Sequence, residues 1–342
     1  MGIVYKRIWI STVFIIAGLV GCTSHKPVSQ VGRIAPRTGD EIIVCGQLVH
    51  TGTPVVMWMD PGGFDGYRVE RRFASMADSD WADSSKAVKE LKTPNRYGLR
   101  KASLTDEQIE QVRGGGWPLD LLRDKIDQFV LHYDVSGTSR QCFAILHDHR
   151  DLSVHFMLDL DGTIYQTLDL KERAWHATIA NDRSIGIEIA NIGAYGLKGN
   201  NPLADWYRKD PQGHTRVVIP LALGGGKYLH TSNFIPRPAR ELAVIGKVQG
   251  TTLQQYDLTP QQYQSLIHLT ATLCTVFPKL KCDYPRDAKG ALIIQKLDSE
   301  QFANYQGILG HYHVQSGKVD PGPAMQWDYL VNEARGLMSR AK

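Results

Sequence analysis

Residues 184–190 read SIGIEIA, a short and nearly continuous apolar run that carries one acid, Glu188. Such a run reads as a strand buried on both faces, at the centre of a sheet rather than at its edge. A carboxylate in that setting is costly unless it is paired or put to use. Two other polar placements pose the same question. His132 stands near the end of QFVLHYD, residues 128–134, which reads as a strand ending in polar residues. GHYHVQSGKVDPGP, residues 310–323, crowds His311, His313, Lys318 and Asp320 together. Polar groups at three strand-like places call for one common explanation.

The rest of the chain supplies the frame. Residues 153–168 alternate on either side of Asp161-Gly162, which reads as a β-hairpin. Residues 41–59 are rich in β-branched residues around Gly-Thr-Pro and read as two strands and a turn. Thr105-Asp106-Glu107 opens a short helix that Gly114-Gly115-Gly116 stops, and Leu119 to Ile126 reads as another. Thr259-Pro260 starts a helix with proline at its first position, and Tyr263, Leu266, Ile267, Thr270, Leu273, Cys274 and Phe277 follow helical spacing. Trp327 to Met338 reads as a closing helix, and residues 307–314 as a strand and loop. Strands mixed with helices imply an α/β fold with a central mixed β-sheet flanked by helices. Residues 195–250, with Gly224-Gly225-Gly226 and several prolines, read as a long surface insertion.

The N-terminus carries an address. Lys6 and Arg7 precede an apolar run, Ile8 to Val20, that is short for a bilayer span and suits a signal segment. It ends in Leu19-Val20-Gly21-Cys22, which resembles a bacterial lipobox. That resemblance implies a signal peptide over 1–21, lipidation of Cys22, and a membrane lipid anchor. Thr23, where an aspartate would favour the inner membrane, implies an outer-membrane lipoprotein facing the periplasm. Residues 22–40 are polar and read as a tether, followed by an N-terminal extension, 41–118, packed on a catalytic domain, 119–342. Cys45, Cys142, Cys274 and Cys282 then remain, with no CxxC spacing and no choice among pairings. A net charge of +4 without a Lys/Arg cluster points away from nucleic acid and suits an anionic substrate.

Zinc hydrolases use three protein ligands and leave one position open for water, and histidine and carboxylate are suitable ligands. Residues 310–323 offer two histidines and Asp320, with Lys318 as a positive charge beside them and Pro321-Gly322-Pro323 as rigid turns behind the carboxylate. Taken alone, that stretch leaves His311 and His313 as alternatives.

FVLHYDVSG, SVHFMLDLDGTIYQTLDLKERAWHA, NDRSIGIEIAN and GHYHVQSGKVDPGPAMQW, in that order, resemble the zinc-dependent N-acetylmuramoyl-L-alanine amidases of the type-2 amidase family, which shares its fold with the peptidoglycan recognition proteins. The likeness runs from about residue 126 to 338, interrupted by the insertion. Carried over by position, it implies a Zn2+ ion on His132, His311 and Asp320, Glu188 as catalytic acid/base, and Lys318 as oxyanion stabiliser. His311 follows the glycine as the family's second histidine does. His313 stands where the family often has aspartate, and the loop to Asp320 is one residue shorter than the family pattern. His176 falls on a family position lining the substrate cleft, and His155 on one for which a structural hydrogen-bonding role is expected. Arg173 and Trp175 are expected to contact the anionic stem peptide, and Asp134 to be a turn residue beside the metal. His147 and His149 lie in a polar loop and are not expected to bind metal. The implied reaction cuts the amide between N-acetylmuramic acid and L-alanine in peptidoglycan or muropeptides, by a monomeric protein. The contrasting expectation is a peptidoglycan-binding envelope lipoprotein of the same fold without catalysis.

Overall fold

The computed structural model describes residue 2, residues 31–68 and residues 97–340. Cys22, nearly all of the signal segment and the first part of the tether lie outside the described residues. By its contacts the chain divides into residues 1–36 and 37–342. Residues 31–36 are exposed and carry no strand or helix.

The second unit is built on one six-stranded sheet. In chain order its first elements are β1 (Glu41–Val44), β2 (Gln47–His50), β3 (Val55–Met57) and β4 (Tyr97–Gly98), then α1 (Asp106–Val112) and α2 (Leu119–Lys125). β5 (Gln128–Tyr133) leads to α3 (Ser139–Ala144), the hairpin of β6 (Phe156–Leu158) and β7 (Ile164–Gln166), the short β8 (Arg173–Ala174) and β9 (Ser184–Ile189). The sheet order is β15-β5-β9-β6-β7-β3, with β15 at Gly307–Gly310. Only β6 and β7 run antiparallel, so the sheet is mixed, and β9 lies inside it between β5 and β6. The run SIGIEIA is therefore a central strand, as its apolar character requires.

Register decides which residues face which way. His132 pairs with Glu188 and Val130 with Gly186 across β5 and β9, so His132, Val130, Gly186 and Glu188 share one face. Phe129, Leu131, Ile185 and Ile187 point to the other face and join one buried cluster with α5 (Pro260–Val276) and α8 (Trp327–Arg340), through residues such as Leu266, Leu273, Leu330 and Val331. Helix α5 starts on a reciprocal cap between Thr259 and Gln262 with proline in its first turn. Truncating a fully buried leucine of that layer, such as Leu266, should cost about 2–5 kcal/mol. This layer leaves the opposite face of the sheet to carry chemistry.

Three parts of the structure differ from the sequence reading. Residues 41–59 make three strands, not two, because Cys45-Gly46 takes left-handed backbone (φ 52° and 73°) and folds β1 against β2 before β3 joins the central sheet beside β7. Residues 311–314, expected as loop, form one helical turn, α7 (His311–Val314), preceded by α6 (Ser299–Asn304). The insertion carries its own buried cluster, including Leu203, Trp206, Tyr207, Val217 and Ile219. It contains β10 (Tyr195–Gly196), α4 (Leu203–Trp206), β11 (Tyr207–Lys209) and β12 (Thr215–Val217), and its hairpin of β13 (Val244–Val248) and β14 (Thr251–Gln255) carries it past residue 250.

Candidate active site

A cleft of about 440 Å³ opens on the face of the sheet away from α5 and α8, at the carboxyl ends of β5, β9 and β15. Open α/β sheets bind ligands at this edge. Each strand end delivers one group. His132 comes from β5, Glu188 from β9 and His311 from the first turn of α7 directly after β15. Asp320 reaches the same point from the following loop.

His132 Nδ1, His311 Nδ1 and Asp320 Oδ2 form a triangle with sides of 3.0, 2.9 and 3.0 Å. All three residues are buried, and they form a group able to hold a metal ion. Burial, with the adjacent His311, lowers His132 to about 4, so its imidazole is neutral as a ligand must be. Burial alone would raise the Asp320 carboxyl, yet the adjacent His132 and His311 rings hold it well below the ordinary carboxylate range. Two imidazole nitrogens and one carboxylate oxygen make a donor set suited to zinc. A tetrahedral ion with bonds of about 2.0–2.1 Å would set such atoms about 3.3 Å apart, only slightly wider than this triangle. The residues fit the ion.

The far side of His132 is also fixed. Its Nε2 lies 3.0 Å from His176 Nδ1, and His176 Nε2 lies 3.2 Å from Ser184 Oγ. With Nδ1 of His132 turned to the metal position, its Nε2 proton goes to His176 Nδ1, and His176 keeps its own proton for Ser184. Burial, next to His132, holds His176 well below the usual histidine range and so supports this neutral chain. His176 lines the cleft and also backs His132. Gly186 makes room for it, since a Cβ there would sit 2.5 Å from His176 Nδ1.

His313 is placed elsewhere. It is fully buried, accepts from Gly310 N–H at 2.8 Å through Nδ1 and donates to Ile293 O at 2.6 Å through Nε2. Both ring nitrogens are committed to backbone, outside the triangle. The turn of α7 causes the separation, because residues two apart on a helix point to different sides.

Glu188 lies half-buried in the cleft with Oε2 lacking a hydrogen-bond partner. Burial raises its carboxyl well above the ordinary value, Asp320 and Asp134 reinforce the shift, and Lys318 and Arg150 oppose it. A buried carboxyl oxygen with a free lone pair, facing a cleft, is positioned to exchange a proton. Lys318, Arg173 and Trp175 line the same cleft, and Arg173 Nε donates to Asp182 Oδ2 at 2.9 Å. Asp134 Oδ1 accepts from the backbone N–H of Ser136, Gly137 and Asn191, so it organises the turn after β5. His155 accepts from Gly186 N–H through Nδ1 and donates to Glu172 O through Nε2, a structural arrangement. His147 is buried and His149 exposed on a π-helical turn, and neither belongs to the metal-competent group. Cys45, Cys142, Cys274 and Cys282 are all free thiols.

Several contributors escaped the sequence reading. Gln255, on β14 of the insertion, donates to Pro321 O at 3.0 Å and accepts from Ala324 N–H at 3.0 Å, gripping the turn behind Asp320. Gly322 has φ 86°, and a Cβ there would overlap the Gln255 side chain, so this grip requires glycine. Gln249, in the turn between β13 and β14, donates to Gln315 O and Lys318 O at 2.9 Å each. Arg150 faces the cleft as a further cation. A glutamine in an insertion matches no motif. The only available signal was the adjacent polar pair Gln254-Gln255 in an otherwise strand-like run.

A family profile for N-acetylmuramoyl-L-alanine amidase matches residues 122–323. No curated protein sequence matches the chain. Among solved structures, a selenomethionine derivative of AmpD shares 17% identity over 70% of this chain and 90% of its own, with a TM-score of 0.33. The Escherichia coli amidase AmiD, solved with anhydro-N-acetylmuramic acid-L-Ala-D-γ-Glu-L-Lys, shares 18% identity over 61% of this chain and 57% of its own, at 0.34. The endolysin LysCS of Clostridium intestinale URNW shares 16% over 63% and 86%, at 0.33. Likenesses this distant add nothing to the family match, which spans most of the chain and contains His132, Glu188, His311, Lys318 and Asp320. The chain belongs to the N-acetylmuramoyl-L-alanine amidase family.

Proposed function

We propose that the protein is a zinc-dependent amidase that hydrolyses the bond between the lactyl group of N-acetylmuramic acid and L-alanine, in peptidoglycan or in muropeptides released from it. The observation that carries this reading is the buried triangle of His132, His311 and Asp320 beside the unpartnered oxygen of Glu188. Zinc bound there would supply an acidified water and polarise the scissile carbonyl. Glu188 takes the proton from the attacking water and returns it to the leaving L-alanine nitrogen. Its raised affinity for a proton favours the second half of that exchange, and the Lys318 and Arg150 charges keep the ionised form accessible for the first. Lys318 offsets negative charge as it develops on the carbonyl oxygen. Arg173 and Trp175 orient the peptide-bearing side of an anionic substrate, and His176 holds the His132 ring while bordering the same cleft.

The envelope placement rests on sequence. The lipobox-like Leu19-Val20-Gly21-Cys22 and Thr23 support an outer-membrane lipoprotein facing the periplasm and anchored through Cys22.

The test is to incubate the purified protein with a defined muropeptide and with sacculi, with and without a zinc chelator, and to analyse the products by mass spectrometry. Release of stem peptide with a free L-alanine amine, abolished by the chelator and restored by zinc, is the expected result. Binding without release by folded, zinc-loaded protein would make it a peptidoglycan-binding protein instead.

A further inference from the structure

Arg100 lies outside the region matched by the family profile, yet it is the largest fully buried side chain among the described residues, with 0% exposure. Its guanidinium spans two stretches of chain. Nη1 donates to the carbonyls of Asn181, Asp182 and Ser184 at 3.0, 3.1 and 3.1 Å, and Nη2 donates to Leu170 O at 3.0 Å. Those carbonyls are the two ends of the segment 170–184, which connects the β6–β7 hairpin to β9 and carries Arg173, Trp175 and His176 along the cleft. The chain around Arg100 follows the same segment. Tyr97–Gly98 pairs antiparallel with Arg173–Ala174, and Ala102 N–H donates at 3.3 Å to Asp182, whose other oxygen accepts from Arg173.

A cation buried among carbonyls, with no carboxylate bonded to it, is an expensive way to fill space, and a hydrophobic side chain would fill it at less cost. What only a guanidinium provides is a rigid planar fork that bonds two separate chain segments at once. The fork also lies 3.1 Å from His155 Nε2. The Nδ1 of that ring accepts from Gly186 N–H, at the glycine that makes room for His176. Burial and the Arg100 charge lower His155 to about 3, which keeps Nδ1 free to accept.

We propose that Arg100 is a positioning residue that clips the two ends of segment 170–184 together and so holds Arg173, Trp175 and His176 in their places along the substrate cleft. The inference rests on the amidase reading for its kinetic consequence but not for its structural one. Arg100 touches neither a metal ligand nor the cleft, so it acts through the segment and through His155.

The experiment compares Arg100→Met and Arg100→Lys with the wild type by hydrogen–deuterium exchange, zinc stoichiometry and muropeptide hydrolysis. Lysine keeps the charge and offers donors at a single point, so it secures the fold while failing to bridge Leu170 to Asn181–Ser184. In both variants amides of residues 171–186 should exchange faster, while the β5 amides stay protected and one zinc per chain is retained. KM for the muropeptide should rise about tenfold with kcat changed far less, as when binding contacts are misplaced. Faster exchange with no hydrolysis by any of the three proteins would retain the clip and remove the amidase reading. Unchanged exchange across 171–186 in folded Arg100→Lys would overturn the clip whatever the activity, as would a kcat loss equal to the loss in kcat/KM.

Discussion

His132 Nε2 lies 3.0 Å from His176 Nδ1, with the two rings edge to face at 86°. The contact gives His132, the first of the proposed metal ligands, a partner on its far side, which fixes both its tautomer and its tilt. His176→Ala should therefore weaken zinc binding about 10–100-fold without unfolding the protein, the usual effect of losing a ligand's outer partner. Competition with a chromophoric chelator measures it, and an unchanged affinity would mean that the sheet alone orients His132.

Gly186→Ala should act through the same contact. Its methyl would sit 2.5 Å from His176 Nδ1, so the ring must move or β9 must bend. Overpacking of this kind costs about 1–3 kcal/mol. A lowered unfolding midpoint together with a weakened zinc site is the expected pair of results. Lost stability with an unaltered zinc site would show that the strain relaxes away from His176.

The two histidines of α7 separate cleanly. His311→Ala should abolish stoichiometric zinc with little effect on the apo fold. His313→Ala should keep zinc but destabilise, since it leaves the buried Gly310 N–H and Ile293 O unpaired at about 1–3 kcal/mol each. Zinc analysis and urea unfolding of the two variants distinguish them, and zinc loss in His313→Ala alone would reverse the ligand assignment.

Much of this site was legible because its groups sit where strands should be apolar. Glu188 within SIGIEIA and His132 at the end of QFVLHYD are conspicuous against β patterning, and the hairpin at Asp161-Gly162 is a local turn signal. Which histidine joins His132 and Asp320 in the buried triangle could not be read from spacing alone. His311 and His313 are two residues apart, and whether they share a side depends on strand against helix geometry, which α7 decides. Arg100 and Gln255 were invisible for another reason. Each works through backbone groups distant in sequence, Leu170 and Ser184 for the arginine and Pro321 and Ala324 for the glutamine, and no local pattern marks such a contact.

Gln255 ties the insertion to the chemistry. Gln255→Leu would strand Pro321 O and Ala324 N–H, each a buried group worth about 1–3 kcal/mol when left unpaired. The variant should lose stability and bind zinc more weakly, because the turn behind Asp320 loosens. Retained zinc affinity in a destabilised protein would confine Gln255 to folding.

Asp159 gives a pH dependence away from the metal. Burial raises its carboxyl from 3.8 to about 7, opposed by hydrogen bonds from the N–H of Leu160 and Ser139. A raised carboxyl favours folding below its unfolded value and loses that contribution as pH climbs from about 4 to 7, at most roughly 4 kcal/mol for this shift. Asp159→Asn, which keeps an acceptor without the charge, should flatten stability over that window and exceed the wild type at pH 8. Urea midpoints at pH 4, 6 and 8 check it, and parallel curves for the two proteins would contradict it.

The central claim is that water adds to the lactyl carbonyl of N-acetylmuramic acid at the His132–His311–Asp320 centre. Hydrolysis of a muropeptide by the zinc-loaded protein in water enriched in oxygen-18, followed by mass spectrometry of both fragments, tests it most directly. The expected result is one heavy oxygen in the muramyl carboxylate and an unlabelled peptide bearing a free L-alanine amine. Label in the peptide fragment, or no cleavage by folded and zinc-loaded protein, would contradict it.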